Sequence, residues 1–294
     1  MSLAGRNWHQ TLLALVVALF SYVELSGGHS NGESKLCSRD DLDVLSCSAE
    51  SLTTSSCCVE SPGGLLVQTQ LYNFNPGLGP HNSWTIHGLW PDYCNGSYPS
   101  SCDSSREYKN LPKIFQENKL EWLMRYFKIY WKVLNGTDVD LWAHEWAKHG
   151  TCMSTLRPNC YANYEPHMEL MQFFTTIYEL YRRLPTFTFL SACGILPTNE
   201  TTYTLETIET CLRAATGFVP HLGCSSDNYL NEIWYYFHLR GRLGDRNAGT
   251  TGFQGTNSTF KSTCSTEGIR YPHKSSADID QHTEIEELFK HEDL

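Results

Sequence analysis

The sequence has no apolar run long enough to span a membrane: the longest, Leu12 to Val23, falls short of the ~20 residues that a hydrocarbon core demands. It has no Cys-x-x-Cys pair to suggest a zinc site. Internal repeats and linker-like stretches are lacking too, which favours one domain over several. Positive charge is scarce. A total of 22 Lys and Arg against 32 Asp and Glu gives a formal net charge of −10, which argues against tight, salt-driven binding of nucleic acid. The deficit is lopsided, however. Ser275 to Leu294 holds seven acids and one lysine, so the remainder is much nearer neutrality, and its histidines begin to charge below about pH 6. A small cationic site is compatible with that balance.

What the chain does have is cysteine and aromatic bulk. It is 294 residues long and 40% hydrophobic, with 8 Trp, 16 Tyr and 13 Phe, ample material for a packed core. Its 12 cysteines, an even count without a metal motif, point to as many as six disulfides made in an oxidising compartment. Residues 1–28 read as a secretory signal peptide, because Arg6 and His9 precede the apolar run and Ser26, Gly27 and Gly28 follow it. An uncleaved anchor is the lesser alternative. The sequons at Asn95, Asn135, Asn199 and Asn257 fit a secreted glycoprotein.

The cysteine-dense stretch with Cys37, Cys47, Cys57 and Cys58 lacks apolar periodicity and is expected to be held down by disulfides. Gly64 to Leu71 reads as a buried strand, and Trp84 to Leu89 as a second one, stopped by Pro91. Apolar spacings of three and four predict a helix over Glu117 to Leu134, ended by Asn135-Gly136. Further helices are expected from Leu141 to about His149, from Leu170 to Leu184, and from a Thr204 cap through Ala215 to Gly217. Ile233 to Leu239 reads as a central strand. Without βαβ alternation the pattern predicts an α+β fold, a central antiparallel sheet flanked by helices, in a single disulfide-rich domain over 29–274. The acidic tail, 275–294, reads as disordered or a lone helix.

Two stretches carry the chemistry. His144-Glu145-Trp146-Ala147-Lys148-His149-Gly150 brings two imidazoles, a carboxylate and an ammonium within two helical turns. Thr85-Ile86-His87-Gly88-Leu89-Trp90-Pro91 adds a third histidine near a strand end. Four residues apart, Glu145 and His149 share a helix face, and a carboxylate so placed can raise the histidine pKa and orient it. RNA carries its own nucleophile, so its cleavage needs two acid–base groups across one phosphorus and no metal. One histidine deprotonates the ribose 2′-hydroxyl and the other protonates the departing 5′-oxygen, while Lys148 and His144 meet the charge on phosphoryl oxygens.

Each residue also has a plainer reading. His87 beside tryptophan reads as a hydrogen-bonded core histidine, Glu145–His149 as a surface pair, and Trp90, Trp142 and Trp146 as core. The concentration of ionisable groups beside an apolar stretch is costly unless used. A zinc peptidase requires H-E-x-x-H. Here the spacing is H-E-x-x-x-H, which sets the two histidines about 140° apart around the helix axis.

Trp84 to Pro91 and Trp142 to Cys152 resemble the two active-site segments of the ribonuclease T2 family of secreted acid ribonucleases. The resemblance runs from about Cys37 to Lys274, with cysteine placement most like the fungal branch. It implies that His149 is the general base and His87 the general acid, that Glu145 and Lys148 stabilise the pentacoordinate phosphorus, and that His144 binds phosphate. It also implies base recognition by Trp90, Asp92 and Tyr98, with Gln70 lining a second base site. An aromatic usually precedes the tryptophan of the second segment; here that place is held by Leu141. The implied disulfides are Cys37–Cys58, Cys47–Cys94, Cys57–Cys160, Cys102–Cys152 and Cys224–Cys264, and the remaining Cys193 and Cys211 would form an extra bridge.

The expectation is a metal-free, cofactor-free, monomeric endoribonuclease of single-stranded RNA. It would have low base specificity and an acidic optimum, and be secreted or held in the secretory or vacuolar system. A catalytically silent effector or storage protein of the same fold is the alternative, against which intact His87, Glu145 and His149 speak. The last residues, His291-Glu292-Asp293-Leu294, resemble an endoplasmic-reticulum retrieval signal with its acids exchanged, although a coincidental acidic terminus is the simpler reading.

Overall fold

The computed structural model describes residues 37–244 and 252–275. The expected signal peptide, the tail beyond Ser275 and the terminal tetrapeptide lie outside the described residues.

Strand β1 (Leu65–Leu71) is buried along nearly its whole length because it lies inside a five-stranded antiparallel sheet. It pairs with β2 (Thr85–Asp92) on one side and with β4 (Leu230–Leu239) on the other. Strand β4 also pairs with β3 (His221–Cys224) and β5 (Phe253–Thr256), which makes it the second central strand. The architecture is α+β. Strand β2 does not stop at Pro91, which sits opposite Leu66 within the ladder. It lies at the edge of the sheet, where a missing N–H costs no inter-strand bond.

One face of the sheet is covered by helices: α1 (Leu111–Glu117), α2 (Glu121–Tyr130), α3 (Asp138–Lys148), α4 (Met168–Arg183), α5 (Thr186–Ala192) and α6 (Leu205–Thr216). Their apolar stripes bury Leu123 and Phe127 of α2, Trp142 and Trp146 of α3, and Phe173, Phe174 and Ile177 of α4. The helix expected over 117–134 is two. Lys119, at φ +57°, breaks the chain between α1 and α2. Helix α2 ends at Tyr130 rather than at Asn135-Gly136, because Trp131 leaves it to enter the core. Helix α3 begins earlier than expected, where Thr137 caps the Asp140 N–H at 3.2 Å. Helices α4 and α6 and strand β4 fall where the periodicity puts them, and α6 closes on Gly217 at φ +87°.

On the other face, Leu65, Val67 and Tyr236 form a smaller core with Trp90, Trp234 and Cys47 packed against it. Among the described residues there are six disulfides: the five that the resemblance implies and the extra bridge Cys193–Cys211. Two of them, Cys47–Cys94 and Cys102–Cys152, anchor the loop after β2 to the N-terminal segment and to the turn after α3. Among the described residues no helix is long and apolar enough to cross a membrane. All four sequon asparagines are exposed.

Candidate active site

His87 owes its position to an irregular strand. Along β1–β2 the register steps from Thr69↔Gly88 to Gln70↔Ile86, so His87 is an extra residue with no partner opposite. Such a bulge re-aims a side chain and leaves its own carbonyl without a ladder bond. The Trp131 indole satisfies that carbonyl, its Nε1 donating to His87 O at 2.9 Å. The side chain of His87 is 31% exposed and opens to solvent.

Helix α3 supplies the rest. Trp142, Glu145 and Trp146 form its buried stripe, and each indole donates to a backbone carbonyl, of Trp131 and Arg106 respectively. Glu145 rides inward between them, only 2% exposed. His149 is not in the helix but caps it, its N–H bonding to Glu145 O at 3.0 Å. Past it the chain turns through Gly150, where any Cβ would collide with the Trp146 ring. Gly88 is required for a similar reason, since a Cβ there would strike the Glu145 carboxylate.

The groups converge on Trp90. Its ring stacks on His149 with centroids 5.1 Å apart and meets the His87 ring edge-on at 5.2 Å. Its Nε1 donates to Glu145 Oε2 at 2.9 Å. The other carboxylate oxygen, Oε1, lies 3.7 Å from His87 Nε2. Glu145 therefore engages His87, 58 residues away in sequence, and forms no ion pair with His149 among the described residues. The expectation from helical spacing fails because His149 leaves the helix.

Charge in this cluster is governed by burial. Desolvation raises the Glu145 pKa to about 7, against which Trp90 and Lys148 act only in part. It lowers His149 to about 3 and His87 to about 4, with Lys148 and His144 adding repulsion in both cases. A raised histidine pKa, expected from a carboxylate four residues before, is thus reversed at His149. Between about pH 4 and 7 those directions leave one proton on the His87–Glu145 pair, and the shared burial favours the carboxyl group for it. The Nδ1 atoms of His87 and His149 bond to no group among the described residues. His144 is exposed and Lys148 half-buried, both at the rim; burial, then Lys148, lowers the His144 pKa.

The base-recognition candidates separate. Trp90 has one face taken by His149 and packs against Trp234 at 5.4 Å. Asp92 ends β2, buried, with its pKa raised to about 7 by desolvation. Tyr98 is 64% exposed on the following loop. Gln70 is fully buried, its amide donating to Leu184 O at 2.9 Å and accepting from Thr186 Oγ1 at 2.6 Å. It lies apart from the histidine cluster and lines a cavity with Trp84, Tyr181 and Thr186. Trp131 and Trp234 were not legible as participants, since nothing distinguishes them in the sequence from the other core tryptophans.

A model of the Ribonuclease T2 family matches residues 52–250, a span that holds every group described above. The chain belongs to the ribonuclease T2 family. This ribonuclease is 43% identical over 233 residues to Ribonuclease T2 of Aspergillus oryzae, across 79% of this chain and 82% of that one. It is 42% identical over 245 residues to Ribonuclease M of Aspergillus phoenicis, across 82% and 98% of the two chains. The crystal structure of Actibind, described as a T2 ribonuclease, superposes with a TM-score of 0.73 at 40% identity, covering 82% of this chain and 98% of that one. The protein is a ribonuclease T2-type endoribonuclease.

Proposed function

We propose that the enzyme cleaves single-stranded RNA by transphosphorylation, with His149 as base and His87 as acid, first to a 2′,3′-cyclic phosphate and then to a 3′-phosphate. The observation that carries this reading is the convergence of His87, Glu145 and His149 on one tryptophan from two distant segments. A neutral His149 takes the 2′-hydroxyl proton, the 2′-oxygen forms its bond to phosphorus, and the 5′-oxygen leaves with a proton from His87. Glu145 supplies the proton that His87 delivers, and Lys148 and His144 meet the charge building on the phosphoryl oxygens. In the second stage water, losing a proton to His87, forms its bond to phosphorus, and the 2′-oxygen leaves with a proton from His149, which gives the 3′-phosphate.

The depressed pKa values favour work in acid. His149 stays neutral, and so a base, down to about pH 3. The His87–Glu145 pair keeps its mobile proton until the pH rises past the Glu145 value of about 7. An incoming phosphate anion draws that proton toward His87 by opposing the desolvation that holds its pKa down. Base contacts fall to Asp92 and Tyr98, while Trp90 holds the catalytic groups in place. Specificity resting on two side chains, one of them largely exposed to solvent, is low.

The same reading makes this metal-free enzyme a monomeric, secreted glycoprotein with its sequons at the surface. The test is digestion of dinucleotides from pH 4 to 7 in EDTA, with product end groups identified and His149→Ala alongside. Cyclic phosphate is expected, and the variant should lose about 10²–10⁴-fold in rate while keeping its wild-type melting curve. Loss on chelation would mean a metalloenzyme; no cleavage at any pH would mean a silent scaffold. Near-wild-type activity in the variant would show that another group is the base.

A further inference from the structure

A catalytic histidine is ordinarily oriented by a hydrogen bond at the ring nitrogen that does no chemistry. His87 has none: among the described residues its Nδ1 bonds to nothing, and its Nε2 lies 3.7 Å from Glu145 Oε1. Trp90 meets the ring edge-on, and the side chain is otherwise open to solvent. What remains to fix the imidazole is its own backbone. That backbone is the bulge of β2, one residue outside the ladder, and its carbonyl accepts from Trp131 Nε1 at 2.9 Å.

The donor is itself firmly held. Trp131 is fully buried. Its N–H donates to Phe127 O of α2 at 2.7 Å, its carbonyl accepts from Trp142 Nε1 of α3 at 3.0 Å, and its ring stands edge-on to Phe127 at 4.9 Å. Just beyond it, the Val133 N–H donates to Asp138 Oδ1 at 3.0 Å and Lys132 Nζ pairs with Asp138 Oδ2 at 2.7 Å, which ties the turn to the start of α3. Helix α3 therefore reaches the same histidine twice. Glu145 faces its ring, and Trp142 acts on its carbonyl through Trp131.

We propose that Trp131 is a positioning residue for the acid–base step: its indole N–H locks the bulge of β2 and so sets the distance at which His87 exchanges a proton with Glu145. Losing that bond leaves the His87 carbonyl unpartnered and frees the bulge to migrate by one residue, which turns the imidazole toward the opposite face of the sheet. The inference rests on the reading of His87 as general acid.

The experiment measures kcat and KM for a dinucleotide across histidine and carboxyl titration, from about pH 3 to 8. It compares the full protein, Trp131→Phe, and a protein that carries benzothiophene in place of the Trp131 indole. Benzothiophene keeps both rings and lacks only the N–H, so core packing is preserved where phenylalanine leaves a gap. Both replacements should lower kcat by up to about 10²-fold with KM unchanged. The alkaline limb of the kcat/KM profile should also move down from about 7 toward the His87 value of about 4. The reason is that His87, still facing His144, Lys148 and His149, no longer draws on the Glu145 proton. A residue that served stability alone would lower the melting temperature and leave that limb in place. In a His87→Ala background neither replacement should lower the rate further. An active His87→Ala would refute the general-acid reading and this proposal with it. An inactive His87→Ala, beside a benzothiophene protein that keeps the wild-type rate and limb, would overturn the proposal alone.

Discussion

Two buried glutamates show how differently this fold treats the same side chain. Glu60, just before β1, is fully buried and accepts from Ser154 N at 2.8 Å, Ser154 Oγ at 3.1 Å, Thr155 N at 3.2 Å and Thr155 Oγ1. Glu145 is buried almost as deeply but, among the described residues, accepts only from Trp90 and faces a histidine at 3.7 Å. Desolvation raises the pKa of both, and at Glu60 four hydrogen bonds oppose it. The satisfied carboxylate pins the turn after His149 to the segment before β1. The unsatisfied one is left with a proton to exchange, an arrangement that protein interiors retain where it is used.

The contrast is broken most sharply by Glu145→Gln. The amide keeps the shape and a donor but cannot trade a proton with His87, so kcat should fall about 10²–10³-fold. Its melting temperature should hold or rise, and a matching loss of stability would make Glu145 a structural residue like Glu60. Glu60→Ala should do the reverse. Its two orphaned backbone N–H groups, at about 1–3 kcal/mol each, predict a loss on the order of 3 kcal/mol in denaturant unfolding with kcat retained below the transition. Trp90→Phe is milder: it keeps the ring against His149 and removes one bond to Glu145, for a loss of about tenfold in kcat/KM.

The smallest effect is in the pH dependence of stability. Glu145 has a folded pKa near 7, above its unfolded value, so its contribution is present below about pH 4.5 and lost as pH rises through about 7. His87 and His149 run oppositely. Their folded values are depressed, so what they contribute is present above about pH 6.5 and lost as pH falls toward about 4 and about 3. Relative to the wild type, Glu145→Gln should therefore gain stability steadily between about pH 4.5 and 7 in thermal scans. A flat difference would mean that Glu145 is ionised throughout.

The sheet, most helices and the two site segments were legible because burial writes itself as periodicity. Helix α4 shows it in Leu170, Phe173, Phe174 and Ile177, and β1 opens on the apolar run Leu65, Leu66 and Val67. Helix α2 was mis-bounded because Trp131 follows the 3.6-residue pattern yet leaves the helix for the carbonyl of His87. The hydrogen bonds of the Gln70 amide to Leu184 and Thr186 were not legible in the sequence, since those partners lie more than a hundred residues away.

By itself the sequence determined the family, the α+β class, the disulfide-rich framework and three candidate groups for acid–base work, since each follows from residue type and local spacing. It did not determine which histidine the carboxylate meets. That was decided by a one-residue bulge in β2 and by the exit of His149 from its helix, both consequences of packing between segments far apart in the chain. Proton affinity was likewise decided by tertiary structure. A pKa responds to the water a group loses and the charges it gains, and neither quantity exists until the chain has folded around it.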